Sequence, residues 1–150
     1  MFKFNENQLN RINSILQQDL IGSGVSCSIL IDSAGNIVTS LDDGCRETDI
    51  NSIACLAAGN YGAVKSMANI MGEDNFAMLF HKGKQMSMHL KSATPEFLLV
   101  NIFNQDLSLG FLRLKVFDVL RKLEKLLPVI VETDNYYVLE DLPLKRSAFT

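Results

Sequence analysis

The sequence predicts an α+β domain in which a five-stranded antiparallel sheet is flanked by three helices. Three segments repeat apolar residues every three or four positions, as amphipathic helices do, and five shorter segments alternate apolar and polar residues or are apolar throughout, as strands do. Along the chain they follow the order helix, strand, strand, helix, strand, strand, strand, helix. With 150 residues and 47% hydrophobic content, the chain is long enough for one domain with a buried core.

The first three elements are a helix and a hairpin. The helix is predicted over residues 5–21 and ends at Gly22-Ser23-Gly24, glycine being common at helix ends. Residues 25–31 and 37–41 alternate as two strands, and the turn-forming residues 33–36 join them. The buried side of the helix is predicted to carry Leu9, Ile12, Leu16 and Leu20.

A long helix is predicted over residues 49–71, after an acidic loop at 42–47, with Thr48 as a candidate N-cap. Only Asp49 and Lys65 are charged within it. Its core-facing stripe is predicted to contain Ile50, Ile53, Ala54, Ala57, Tyr61, Val64, Ala68 and Met71.

The opposite side of this helix has small side chains where a solvated helix has charged ones. Each of its two glycines costs about 1 kcal/mol relative to alanine, which favours a role in the close approach of a second helix. The same helix from a second copy is the simplest partner, because a twofold contact is self-complementary. The predicted dimer interface comprises Cys55, Ala58, Gly59, Gly62, Ser66 and Asn69.

A second hairpin is predicted from residues 75–81 and 85–93, joined by a three-residue loop at 82–84. We prefer a three-residue loop because the register that it sets makes one face of the hairpin wholly apolar. The predicted pairs are Phe80 with Met86, Met78 with Met88, and Phe76 with Leu90.

Pro95 separates this hairpin from a fifth strand at 97–103, which is apolar on both faces and therefore predicted to be central. Ser108 is the predicted N-cap of the last helix, which Pro128 ends or kinks. Its buried side is predicted to carry Leu109, Leu112, Val116, Leu120, Leu123 and Leu127. Beyond it, residues 129–150 lack a clear period, so the chain is divided into a domain at 1–131 and a docked or mobile tail at 132–150.

Charge and targeting signals narrow the functional classes. The net charge of −3 argues against nucleic-acid or membrane-surface binding that rests on charge alone. The N-terminal stretch lacks the apolar core of a signal peptide, and no run approaches the roughly 18 apolar residues of a membrane span, so a cytoplasmic location is expected. Cys27, Cys45 and Cys55 are widely spaced and odd in number, which favours free, buried thiols over disulfides or a zinc site.

The sequence does not predict an enzyme. It contains neither a GxxxxGK[ST] loop nor a GxGxxG motif, so no nucleotide or other cofactor is expected. In the predicted register His81 and His89 share a strand face with Ser87 and Lys91, but no carboxylate nearby in sequence would orient a histidine base. No metal site is expected, because the two histidines lack a third ligand and the acidic loop lacks the alternating ligands of a calcium loop.

Two other features are ambiguous from sequence. The last helix has a basic side with Asp118 and Glu124 interleaved, and it is either a solvated face or a docking face for an acidic partner. An arginine supplied to a partner's phosphoryl-transfer site is a less favoured use of it. The candidate docking residues on this helix are Arg113, Arg121, Lys122 and Lys125.

The methionines are the second ambiguous feature. They are predicted to be mostly core, with an adaptable binding surface as the alternative, and comprise Met67, Met71, Met78, Met86 and Met88.

Several segments resemble the roadblock, or dynein-light-chain-type, domain family. They are residues 24–32 (GVSCSILID), residues 35–38 (GNIV), the alanine-rich second helix, and residues 109–113 (LGFLR), and together they span about residues 5–125. The resemblance implies a homodimer, or a heterodimer with a roadblock paralogue, in which the second helix and third strand pair across the dimer axis into one continuous sheet. It also implies that the dimer binds or regulates a small Ras-like GTPase.

Bacterial members of the family resemble a gliding-motility regulator that stimulates such a GTPase, whereas eukaryotic members belong to dynein or lysosomal scaffolds. The resemblance therefore favours a non-catalytic, dimeric regulator that acts conformationally and leaves the nucleotide to its partner. Two alternatives are a structural adaptor in a motor or motility complex and a small-ligand sensor. The sensor would need a cavity beneath the long helix, and no convergent polar group marks one in the sequence.

Overall fold

The predicted order of elements is confirmed by a computed structural model, which describes residues 3–44, 49–75, 78–133 and 136–140. Cys45, Thr48 and Phe76 lie outside the described residues. The helices and strands are α1 (Glu6–Asp19), β1 (Cys27–Asp32), β2 (Ile37–Asp42), α2 (Ile50–Ile70), β3 (Leu79–Lys82), β4 (Met86–Thr94), β5 (Phe97–Asn104), α3 (Leu109–Glu124), β6 (Val129–Thr133) and β7 (Tyr136–Glu140), with a short 3-10 turn at Ile21–Ser23.

The five-stranded sheet is antiparallel and has the order β2-β1-β5-β4-β3. The prediction that β5 is central is confirmed, and β2 and β3 form the two edges. In the segment for which no periodicity was found, β6 and β7 pair with each other as a separate two-stranded sheet. The predicted division at residue 131 falls within β6. No helix among the described residues is long and apolar enough to cross a membrane.

Side-chain caps fix where the helices begin. The side chain of Asn5 accepts a hydrogen bond from the Gln8 amide (2.7 Å), and Gln8 accepts one from the Asn5 amide (2.9 Å), which forms a capping box on α1. Ser108 caps α3 as predicted. The prediction of Thr48 for α2 is wrong, because Asp49 is the N-cap and accepts from the Ser52 amide at 3.1 Å.

The sheet is covered on both faces, which divides the core into two layers. One layer joins α1 and α3 to alternate residues of the central strands, such as Leu30 and Leu99. The other joins α2 to the residues between them, such as Ile29 and Val100. Because successive strand residues point to opposite faces, the apolar strands β1 and β5 contribute to both layers.

The β1–β2 turn sets the position of α2. The buried carboxylate of Asp32 accepts hydrogen bonds from the Ala34 amide (3.0 Å), the Asn36 amide (2.9 Å) and the Asn36 side chain (2.9 Å). Gly35 adopts a φ of 91°, and a Cβ added there would lie 3.0 Å from the Cα of Cys55. Glycine is therefore required at this position for two reasons: the positive φ of the turn and the close contact with α2.

The predicted register of the β3–β4 hairpin is wrong. Phe80 lies opposite His89 rather than Met86, and Lys82 lies opposite Ser87. The Gly83 amide donates to the Met86 carbonyl (2.9 Å), so the turn is tighter than the predicted three-residue loop. This register places Leu90 in the layer beneath α2 and stacks Phe80 on Phe103 in the other layer, so that apolar residues enter both layers.

The new register and the end of α2 also correct the methionine prediction. Met67, Met71 and Met86 are exposed, and Met78 and Met88 are half-buried, so the cluster is not mostly core. Met71 was expected on the core stripe but lies beyond the last residue of α2. Of the described cysteines, Cys27 is buried as predicted and Cys55 is exposed, contrary to the prediction.

Candidate functional site

The outer side of α2 is the first candidate interaction surface. Of the six residues predicted for a dimer interface, Cys55, Gly59, Gly62, Ser66 and Asn69 are exposed. The sixth, Ala58, is half-buried and packs against the core layer beneath α2. The structure thus places five of the predicted residues on the surface and shows that Ala58 contributes to the core.

Larger apolar residues on the same side were missed from sequence. Leu56 is 73% exposed and Ile70 is 86% exposed, and Met67 is also exposed. Leu56, Gly59, Ala63, Ser66 and Ile70 follow one another at spacings of three, four, three and four residues, which is the seam of a helix that packs against another helix. We call these five residues the α2 seam. It has no charged residue, and its large side chains lie at the two ends with small ones between them.

The glycines of α2 have no packing role among the described residues of their own chain. A Cβ added at Gly59 or Gly62 would have no neighbouring atom within 4 Å. Since each glycine costs about 1 kcal/mol relative to alanine in a helix, an isolated protomer would be more stable with alanine at these positions.

The α2 seam adjoins the edge of the sheet. Nε2 of His81 on β3 lies 3.2 Å from Oδ1 of Asn60 on α2. A groove of about 420 Å³ separates α2 from the β3–β4 turn. Exposed helix, groove and edge strand therefore form one continuous surface. The apolar lining of the groove includes Ile53, Met86, Met88 and Ile102.

The outer side of α3 is the second candidate surface. The predicted docking residues Arg113, Arg121, Lys122 and Lys125 are all exposed. Lys122 forms an ion pair with Asp19 on α1 (2.6 Å). Because the pair is exposed to solvent, it contributes about 1 kcal/mol or less to stability. Part of the positive charge of this face is therefore balanced within the chain.

Three apolar residues that alternate with these cations were not predicted from the sequence to lie on this face. Phe111, Leu114 and Phe117 are exposed, Leu114 by 69%. The guanidinium of Arg121 lies 5.9 Å from the ring centroid of Phe117, and the ammonium of Lys115 lies 5.6 Å from that of Phe111. The face is consequently mixed, with aromatic rings covered by cations, as is common at surfaces that bind proteins.

The two histidines do not form a catalytic pair. His81 is exposed and lies opposite Met88, whereas His89 lies opposite Phe80, which puts the histidines on opposite faces of the sheet. The prediction of a shared face with Ser87 and Lys91 is therefore wrong for His81. Burial, and then the charges of Lys91 and Arg113, lower the pKa of His89 to about 4.

Comparisons with known proteins agree with this fold. The sequence model of the Roadblock/LC7 domain matches residues 16–103. Among solved structures, MglB from Myxococcus xanthus is 27% identical, with a TM-score of 0.74 over 82% of this chain and 91% of that one. The gliding protein MglB from Thermus thermophilus is 24% identical, with a TM-score of 0.76 over 82% and 93% of the two chains. MglC from Myxococcus xanthus is 15% identical, with a TM-score of 0.52 over 75% and 96%. A comparison with curated proteins found no match.

Proposed function

The chain belongs to the Roadblock/LC7 family, and from that membership we propose a non-catalytic dimer that binds and regulates a small Ras-like GTPase. The observation that supports the dimer most directly is the exposed, uncharged α2 seam beside an edge strand. Resemblance to gliding-motility regulators suggests a role in motility, in line with the fold similarity to the gliding protein MglB. A cytoplasmic location is part of the same proposal.

The α2 seam fits a second copy of itself in an antiparallel arrangement. A twofold axis at Ala63 sets Leu56 of one protomer against Ile70 of the partner subunit, since both lie seven residues from Ala63. Gly59 and Ser66 flank the axis and allow the two backbones to approach closely. The predicted interface residues Cys55, Gly62 and Asn69 would then form one margin of the contact.

The edge strand β3 completes the proposed interface. Its outer backbone groups face away from β4, and an unpaired edge is a template for another strand. Two β3 strands that pair across the same axis would join both sheets into one, as the family resemblance implies. A homodimer satisfies this geometry, and so does a heterodimer with a roadblock paralogue.

The α3 face is the proposed docking surface for the GTPase. Its cations favour an acidic partner, and its aromatic rings supply apolar contact area. The proposed action is conformational: the dimer remodels the GTPase so that residues of the GTPase itself complete the hydrolytic site. Residues 1–131 are proposed as the unit that performs this role, with 132–150 as an appended tail.

Affinity capture tests the partner. Immobilised protein is exposed to lysate of the native host with GDP or with a non-hydrolysable GTP analogue, and retained proteins are identified by mass spectrometry. Retention of a small GTPase with one nucleotide supports a state-selective regulator. If no GTPase is retained with either nucleotide, the proposed partner is wrong.

Variants of the α3 face test the docking surface with the captured GTPase. Replacing Arg121 and Lys125 by glutamate is expected to weaken binding at least about tenfold and to reduce its salt dependence, because like charges would then face each other. Lys3→Glu combined with Lys84→Glu is the control, since it makes the same charge change at two exposed positions outside α3. Equal affinities for the three proteins would contradict docking on α3.

GTP turnover separates regulation from a scaffold. Stimulated or inhibited hydrolysis in the presence of the dimer supports regulation. Binding that leaves turnover unchanged supports the structural adaptor instead.

A further inference from the structure

A row of buried polar side chains lies beneath α3. Ser28 on β1 lies opposite Asn101 on β5, and Asn101 lies opposite His89 on β4. All three side chains are at most 1% exposed. Cross-strand neighbours share one face of a sheet, and this face is the one that α1 and α3 cover. We call these three residues the polar row.

The side chains of the polar row have no hydrogen-bond partners among the described residues. Both ring nitrogens of His89, both amide atoms of Asn101 and the hydroxyl of Ser28 are buried and unpaired within the described part of the chain. A buried polar atom without a partner costs free energy comparable to a lost hydrogen bond, so five of them in one row call for a specific explanation. Buried water is one explanation, and a bound ligand is another.

One end of the polar row opens into a pocket between β4 and α3. The pocket has a volume of about 370 Å³, within the range of small-molecule sites, and His89 is part of its lining. Apolar side chains form most of its remaining wall, namely Met78, Leu114, Val116 and Phe117. It therefore combines an apolar wall with one buried polar group that has no partner.

The charges around the pocket are positive. Lys91 from β4 and Arg113 from α3 line it, and no acidic residue among the described ones does. Gly110, in the first turn of α3, also lines it, and a helix N-terminus carries partial positive charge. This environment favours an anion over a cation or a neutral ligand.

We propose that the pocket between β4 and α3 binds a small organic carboxylate. The carboxylate lies near the charges of Lys91 and Arg113. A rotation of the His89 side chain, whose ring nitrogens are buried in the free protein, lets the imidazole donate a hydrogen bond to it. The aliphatic or aromatic body of the ligand packs against Leu114 and Phe117. Asn101 lies next to His89 in the polar row and can pair with the second ring nitrogen. The site is separate from the α2 seam, and it shares Arg113, Leu114 and Phe117 with the proposed docking face on α3.

Binding should be coupled to protonation of His89. The charged groups that act on the ring are Lys91 and Arg113, whereas Phe80 and Asn101, which lie opposite it on β3 and β5, are uncharged. These cations and burial keep the ring neutral in the free protein, because its pKa is about 4. A bound carboxylate favours the imidazolium and raises this pKa. If it returns to the ordinary 6.5, binding tightens about tenfold between pH 7.5 and pH 5.5.

The first test is nuclear magnetic resonance of the imidazole signals, with benzoate as the probe and neutral benzamide as its matched control. The sequence has only two histidines, so a His81→Gln variant assigns the His89 signal. The expected result is a saturable shift of that signal with benzoate, a raised pKa, and no such effect with benzamide. Absence of saturation with benzoate, or the same response to benzamide, would overturn the proposal and leave buried water as the partner of the polar row.

The second test uses variants whose folding is not at risk. Arg113 and Arg121 are both exposed on α3, but only Arg113 lines the pocket. Arg113→Gln is expected to weaken benzoate binding by up to about fivefold, the upper end of the range for one exposed charge contact. Arg121→Gln is expected to leave it unchanged. Equal affinities for the two variants would contradict the assignment of the pocket.

Discussion

Replacing Gly59 by leucine is expected to convert the proposed dimer into a monomer. Helices whose contact is made by small residues approach to about 8 Å, whereas larger side chains hold them about 10 Å apart. A gap of 0.5–1 Å already removes a quarter to a half of a dispersion contact, so this separation removes the two symmetry-related contacts of Leu56 with the partner subunit's Ile70. The two contacts involve four side chains, each only about half covered by its partner. At about half of the 1.5–3 kcal/mol for full burial of each, the loss is about 3–6 kcal/mol, a weakening of more than a hundredfold.

Light scattering coupled to size-exclusion chromatography measures this directly. The wild-type protein is expected to have twice the 16.7 kDa mass of the chain, and the Gly59→Leu variant to have that mass once at micromolar concentration. Gly110→Leu is the matched control, because Gly110 is also a helical glycine with no atom near an added Cβ, but it lies on α3. An unchanged dimer dissociation constant for Gly59→Leu would refute the proposed packing.

A milder variant covers the case in which leucine causes aggregation. Gly59→Ala raises the helix stability of a protomer by about 1 kcal/mol, yet it places a methyl group where two backbones meet. The expected result is a weaker dimer despite a better helix former. A higher Tm together with unchanged dimer affinity would contradict close approach at Gly59.

Three further predictions concern stability. The pKa of His89 is lowered to about 4, so the unfolded chain takes up a proton first as pH falls, and the free energy of unfolding should drop between pH 6.5 and pH 4. In denaturant titrations this drop should be absent from His89→Gln and present in His81→Gln. Equal pH profiles for the two variants would contradict the assignment. Asp32→Ala removes three hydrogen bonds from the β1–β2 turn and should lower the free energy of unfolding by about 3 kcal/mol, which is about 6–12 °C in Tm by calorimetry. The exposed control Asp106→Ala should change Tm little. Similar Tm values for both variants would show that the turn does not depend on the Asp32 carboxylate. For a dimer, Tm should rise with protein concentration, and a constant Tm across a hundredfold range would argue for a folded monomer.

Periodicity was sufficient to predict most of the fold. β5 is apolar on both faces, and a strand of this kind must be covered on both sides, as a central strand is. The structure places β5 at the centre of the sheet. Ser108 was identifiable as a cap because a short polar side chain precedes an apolar helical pattern. These features depend on local sequence, so local reasoning predicted them.

The hairpin register could not be predicted in this way. Its residues are apolar at enough positions to support more than one pairing, and the choice depends on how β4 pairs with β5 and on which core layer each side chain then enters. The same limitation concealed the polar row. Ser28, Asn101 and His89 are distant in sequence, and only the registers of two strand pairs bring them together.

The candidate surfaces were predicted in part. Glycines in the middle of α2 drew attention because they carry a free-energy cost without a local benefit. By contrast, Leu56 and Ile70 were not assigned to the interface, and Phe111 and Phe117 were not assigned to the docking face. An analysis of amphipathic periodicity assigns large apolar residues to the core, so it overlooks those that serve a second surface.

The small side chains through which α2 meets its own sheet also bear on how long this helix remains folded. Ala54, Ala57 and Ala68 are its buried residues, and alanine removes less apolar area from water than the leucines of α1 and α3. In a lone protomer, the amide hydrogens of α2 should therefore exchange with solvent through local opening well before those of α3. Association would slow this exchange and shield the peptide bond after Lys65 from trypsin. The lifetime of α2, and with it resistance to proteolysis, would then depend on the concentration of partner chains.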